Sequence, residues 1–133
     1  MKVVVDTSIW SLALRRKTPM KSLQVDLLKD LIGDGRAILL GVVRQELLSG
    51  IRQLEQFERL RSHLRAFPEA TLEMEDHETA AGFFNTCMAA GIQGSMIDFL
   101  ICSYASRRKC QILTTDPDFQ HFSRHIPVSL LMP

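Results

Sequence analysis

The sequence predicts an α/β sandwich built on a mostly parallel sheet. Short apolar segments of strand length alternate with longer segments of helical periodicity. The strand segments are apolar almost throughout instead of alternating, the pattern of strands covered on both faces. The 133 residues suit a single domain over 1–133, and no linker, repeat or low-complexity stretch divides them.

The elements follow in order. Lys2-Val3-Val4-Val5 is a β-branched run and predicts the first buried strand. Thr7 and Ser8 can cap a helix over residues 8–16. Thr18-Pro19 offers an N-cap followed by Pro at the first helical position. Leu23, Leu27, Leu28 and Leu31 then form an apolar helix face that stops at Gly33-Asp34-Gly35. Residues 36–40 predict a second strand, 42–49 a helix ending at Gly50, and 53–67 a helix with Leu54, Phe57, Leu60 and Leu64 on one side. Thr71-Leu72 reads as a short third strand, and Asp76 as the cap of a helix that ends at Gly91. Residues 95–107 predict a helix, 110–114 a strand, 117–123 a short helix and 128–131 a last strand.

Composition narrows the class. Hydrophobic residues at 46% and charged residues at 23% exclude a disordered or collagen-like chain. The longest unbroken apolar or Gly run covers only residues 37–43, so no membrane span is expected. The first residues lack a secretory h-region, and the odd cysteine count (Cys87, Cys102, Cys110) lacks a C-x-x-C pair. Both point to a cytoplasmic protein with reduced, packed thiols. A net charge of +1 is not the basicity of a non-specific nucleic-acid binder. Basic residues gather at Arg15-Arg16-Lys17, along residues 44–65 and at Arg107-Arg108-Lys109, and acids over residues 69–78; the simplest reading of each is a solvated face.

Four carboxylates stand in conspicuous places. Asp6 directly follows Val3-Val4-Val5, and Asp116 directly follows Ile112-Leu113-Thr114-Thr115, so each ends a strand just before a helix. In an open α/β sheet that is where ligands bind, at the point where strand order reverses. Each is also an ordinary helix cap, with Pro117 suited to a first helical position. Glu46 shares a helix face with Val42 and Val43 and is expected either to point inward into a site or to sit at the edge of the stripe, bonded to Arg44 or to a backbone group. Asp98 precedes Ile101, Cys102 and Ala105 on an apolar face, and Ser95-Met96-Ile97-Asp98 also fits a capping box. Four carboxylates cannot share one pocket uncompensated, because like charges raise one another's pKa. A hard divalent ion, Mg²⁺ or Mn²⁺, resolves the conflict with oxygen ligands alone. His63, His77, His121 and His125 have no metal-motif spacing, which argues against zinc.

With these residues in place the sequence resembles a PIN domain, and within that family the small stand-alone ribonucleases of the VapC toxin type. The resemblance rests on Val5-Asp6-Thr7-Ser8-Ile9-Trp10, on Glu46-Leu47-Leu48 with Gly50, on Asp98-Phe99-Leu100-Ile101, and on Thr114-Thr115-Asp116-Pro117-Asp118-Phe119. Each motif alone is weak; four in order, along the whole chain, are specific. The resemblance implies a three-layer α/β/α sandwich and a Mg²⁺- or Mn²⁺-dependent endoribonuclease. It implies a homodimer neutralised by a cognate antitoxin whose C-terminal segment lies across the site. By position, Asp6, Glu46, Asp98 and Asp116 match the family's acidic quartet, as catalytic residues and metal ligands. Thr7 or Ser8 and Thr114 match its hydroxyl positions, and Asp118 a frequent further acid. Where many relatives carry two alanines this chain has Cys102-Ser103, a small-for-small change. Arg15, Arg16 and Lys17 are candidates for phosphate contacts. Trp10 is a candidate for base stacking, core or dimer surface, the last together with residues 23–31.

Rival readings fit less well. A haloacid-dehalogenase-type phosphatase needs a second Asp two residues after the first, where Ser8 stands. A receiver domain needs an acidic pair after the first strand and a Lys at the last, and neither is present. No P-loop motif occurs. A solitary PIN-like module that binds RNA or protein without catalysis is the remaining alternative, which a complete carboxylate set disfavours.

Overall fold

The computed structural model describes residues 1–14 and 22–132. Four short strands, β1 (Val3–Val5), β2 (Ala37–Ile38), β3 (Gln111–Leu113) and β4 (Ser129–Leu130), form one sheet in the order β2-β1-β3-β4. Every pairing is parallel, with Val3 opposite both Ala37 and Gln111. Among the described residues seven helices surround it: α1 (Thr7–Leu14), α2 (Leu23–Gly33), α3 (Gly41–Leu48), α4 (Leu54–Leu64), α5 (Met74–Ala89), α6 (Met96–Arg108) and α7 (Asp118–Phe122). α6 packs on β1 and β3 and against α5, while α1 packs on α2 and α3 and α3 on α4. The result is the expected three-layer α/β/α sandwich. β1 is completely buried, as its unbroken Val run requires.

Several elements begin or end differently from the sequence reading. Ser22 caps α2, its hydroxyl accepting the Val25 N–H at 3.0 Å. Thr18-Pro19 and the basic Arg15-Arg16-Lys17 lie outside the described residues. Gly35, at φ +68°, makes the left-handed turn that sends the chain from α2 into β2. Thr71-Leu72 is not a strand. The chain makes one isolated parallel bridge, Leu40 to Ala70, before α5 begins at Met74, which leaves no length for a ladder.

Asp76 does not cap α5 from outside; it is the third helical residue, and Glu73 is the N-cap. The Asp76 Oδ2 accepts the Glu73 N–H at 2.8 Å. The same carboxylate receives Arg107 at 2.6 Å and Arg108 at 2.8 and 3.0 Å. Arg108 also lies 3.8 Å over the Tyr104 ring. The cluster therefore clamps the first turn of α5 to the last turn of α6. Asp76 is fully buried and departs from the solvated face expected of this acidic stretch, whereas Glu69, Glu73, Glu75 and Glu78 are exposed as expected. Burial pushes the Asp76 carboxyl up, but Arg108, the Glu73 N–H and Arg107 overcome it and hold it well below the usual carboxylate range.

Trp10 is fully buried, which removes it both as a base-stacking platform and as dimer surface. Its indole N–H donates to the Val5 carbonyl at 3.1 Å, and its ring meets Phe67 edge-on at 4.9 Å. Cys87 and Cys102 are buried and Cys110 half-buried, all as free thiols. Among the described residues no helix is long and apolar enough to cross a membrane.

Candidate active site

The chain leaves β1 toward one edge of the sheet and β3 toward the other, so the carboxyl ends of these neighbouring strands flank the switch point. Asp6 follows β1 immediately, and its N–H continues the ladder to the Leu113 carbonyl at 2.9 Å. Thr114, Thr115 and Asp116 leave β3 beside it. Asp98 enters from the first turn of α6, which packs on both strands. Gly94, just ahead of that turn, lies against the rings of Phe99 and Phe122; a Cβ there would sit 2.9 and 2.6 Å from them. A side chain at this position would force the Phe99 and Phe122 rings to move.

Asp6 is buried, 6% exposed, and two hydroxyls converge on one of its oxygens. Ser8 Oγ donates to Oδ2 at 2.8 Å, and Thr114 Oγ1 donates to the same atom at 2.7 Å. Each hydroxyl also accepts a backbone N–H of the opposite loop or its own: Thr115 to Ser8 at 3.1 Å, Asp116 to Thr114 at 2.9 Å. Ser8 and Thr114 thereby tie the two strand ends together around the carboxylate. Burial pushes the Asp6 carboxyl above its ordinary value, with those hydroxyls and the Thr7 and Ser8 N–H groups opposing it.

Asp98 forms the predicted capping box. Ser95 Oγ accepts the Asp98 N–H at 3.1 Å, and Asp98 Oδ2 accepts the Ser95 N–H at 3.0 Å. Burial raises the Asp98 carboxyl, and the negative charges of Asp6 and Asp116 raise it further against the Ser95 hydrogen bonds. Three acids distant in sequence thus lie near enough at one end of the sheet for Asp6 and Asp116 to act on Asp98 by charge. Asp116 Oδ1 accepts the Asp118 N–H at 2.9 Å, so Asp116 serves both as an anchor for α7 and as a wall of the crevice. Asp118 is exposed in the first turn of α7.

Glu46 departs from expectation. Val43 and Leu47 form the buried stripe of α3, and Glu46 is exposed at its rim instead of pointing inward. Its Oε1 accepts the Thr7 hydroxyl at 2.5 Å, which links it to the residue after Asp6. Arg44, one of the alternative partners, instead donates to the Leu64 and Phe67 carbonyls.

The donor set fits a hard cation in chemistry and charge. Asp98 Oδ1, Asp116 Oδ2 and Glu46 Oε2 accept no hydrogen bond among the described residues. Among those residues, too, every ion pair lies elsewhere, on Glu58, Glu69, Glu73 and Asp76. As they stand, no three of the His, Cys, Asp and Glu side chains described are close enough to grip one ion. Sequence reasoning missed the Thr115 N–H that fastens Ser8, a backbone donor that no pattern of side chains announces.

Comparison with known proteins agrees with this layout. The family model described as PIN domain matches residues 3–124. No curated protein sequence matches the chain. Among solved structures, FitAcB from Neisseria gonorrhoeae is similar at a TM-score of 0.74 and 15% identity, over 98% of this chain and 97% of that one. VapBC2 from Rickettsia felis, bound to a DNA fragment from its promoter, gives 0.75 and 16%, over 98% of each chain. A toxin–antitoxin complex from Klebsiella pneumoniae gives 0.58 and 15%, over 89% of this chain and 90% of that one.

Proposed function

Since this chain belongs to the PIN domain family, we propose that it is a Mg²⁺- or Mn²⁺-dependent endoribonuclease, the toxin of a VapC-type toxin–antitoxin pair. The observation that carries the proposal is the crevice at the switch point. There Asp6, Asp98 and Asp116 oppose one another's charge, with no cationic partner among the described residues. Asp6, Asp98 and Asp116 would hold the ion. Held there, the ion would supply Lewis acidity, lowering the pKa of water and neutralising charge on the leaving oxygen. Ser8 and Thr114 hold Asp6 Oδ2 and so fix which way its other oxygen faces. Glu46, kept in place by Thr7, orients the attacking water through its second oxygen. No residue here is assigned to the ribose 2′-hydroxyl, so the products are a 5′-phosphate and a 3′-hydroxyl.

The partner we propose is a cognate antitoxin whose extended segment covers the crevice, and the working unit a homodimer in the cytoplasm. Support comes from the three structural neighbours, two of them named as toxin–antitoxin or VapBC complexes. The test is cleavage of RNA with Mg²⁺ or Mn²⁺, with and without chelator, by wild type, Asp6→Ala and Asp98→Ala. Cleavage that needs the ion and falls about 100-fold or more in both variants is expected. Cleavage that persists in chelator, or 2′,3′-cyclic phosphate ends, would falsify the mechanism.

A further inference from the structure

Beyond the carboxyl ends of β3 and β4 lies a cleft of ≈ 240 Å³ that shares Thr114 and Asp116 with the crevice. We propose that this cleft is a nucleobase subsite, in which the side-chain amides of Gln24 and Gln120 read the edge of one unpaired RNA base beside the cleaved bond. The inference rests on the nuclease reading and adds sequence preference to it.

The shape and chemistry of the cleft select a base. Pro117, Leu130 and Leu131 supply apolar walls, and Gln24, Thr115 and Gln120 supply polar groups. A base has the same division, with apolar faces and a hydrogen-bonding edge. The volume lies below the roughly 300–1,000 Å³ of pockets that enclose drug-sized ligands, which suits one planar ring system. Asp116 on the wall disfavours a phosphate, since two anions would be brought together.

The two amides come from different layers, Gln24 from the first turn of α2 and Gln120 from α7. Neither side chain has a hydrogen-bond partner among the described residues, so their donors and acceptors remain available. Each amide offers an acceptor and donors together, the combination that pairs with a base edge in two hydrogen bonds. Proteins that read RNA sequence do so on unstacked bases of this kind. Nothing in the sequence links Gln24 to Gln120; only the sheet order brings α2 and α7 to one end of the strands.

The test uses the full chain, with Gln24→Leu, Gln120→Leu and the double variant. Two readouts are taken: cut-site mapping on a mixed-sequence RNA with Mn²⁺, and binding of A, C, G and U octamers in chelator. Wild type should prefer one base beside the cut, and the double variant should lose that preference by roughly 5- to 100-fold. A double variant with the wild-type cut-site profile overturns the subsite and leaves the nuclease reading standing. If wild type cleaves nothing yet prefers one octamer and the variants do not, the subsite stands and the nuclease reading falls. No cleavage with equal binding of all octamers overturns both.

Discussion

Asp76 and Asp98 occupy the same local position on two helices packed against each other. Each is the third residue of its helix, and each accepts the N–H of the N-cap residue, Glu73 at 2.8 Å and Ser95 at 3.0 Å. Their surroundings are opposite. Asp76 meets two guanidinium groups, and its carboxyl is held far below the ordinary value. Asp98 meets burial and two further acids, and its carboxyl is pushed up. A capping box is therefore silent about purpose. Whether a buried acid stabilises the fold or waits for a ligand is decided by the charges that tertiary structure brings to it.

The contrast breaks most visibly on removing each charge. Asp76→Ala leaves two arginines beside a vacated, water-poor socket and should cost about 3 kcal/mol, the low end for a broken buried pair. The low end applies because the Arg107 and Arg108 side chains keep 29% and 27% exposure. Asp6→Asn removes a buried charge that nothing neutralises, and in chelator it should leave the melting temperature unchanged or raise it. Adding Mn²⁺ should raise the melting temperature of wild type and not of Asp6→Asn. Urea and thermal melts of the three proteins check all of this. A destabilised Asp6→Asn with an unaffected Asp76→Ala would invert the assignment.

Acid sharpens the same contrast. The Asp76 carboxyl is lower folded than unfolded, so its stabilisation is present above the unfolded value of 3.8 and is lost as pH falls below it. The Asp6 carboxyl is higher folded than unfolded. Its favourable contribution is complete below 3.8 and disappears as pH rises through the folded value. In chelator, Asp76→Ala should flatten the loss of stability below about pH 4, the ordinary carboxylate range. Asp6→Asn should instead flatten the decline on the alkaline side of that range. Unfolding free energies across pH 3–7 read both slopes.

The pattern of legibility follows from the same physics. Strand ends and the Ser95 box are legible because hydrophobic runs and caps are local in sequence. The burial of Glu46 was misjudged because Val42 and Val43 define only part of the α3 face; Leu47, one turn on from Val43, sets the true stripe and leaves Glu46 at the rim. The pairing of Asp76 with Arg107 and Arg108 was unreadable, since it needs α5 and α6 folded back on each other. Trp10 could be core or surface until Phe67 was placed beside it.

A smaller effect tests how the crevice holds Asp6. Thr114→Val keeps the shape of the side chain but removes a donor to Asp6 Oδ2 and the acceptor for the Asp116 N–H. Mn²⁺ affinity should fall about 10- to 100-fold, the usual consequence of losing a hydrogen bond that orients a ligand, and Thr114→Ser should restore it. Calorimetric titration of the three proteins measures this. Equal affinities would mean that Ser8 alone orients the carboxylate.

The smallest effect separates capping from ligation. Ser95→Ala removes the acceptor for the Asp98 N–H and should cost about 1 kcal/mol of stability, the normal value for an N-cap. The other half of the box survives, because the Ser95 N–H that Asp98 Oδ2 accepts belongs to the backbone. Asp98 should therefore keep its orientation, and Mn²⁺ affinity should change by less than about tenfold, 1.4 kcal/mol. Calorimetric titration and urea melts of the same preparation give both numbers. A large loss of Mn²⁺ binding with little loss of stability would show that the hydroxyl itself reaches the ion. Ser95 would then be a ligand, where the geometry makes it only the support on which Asp98 stands.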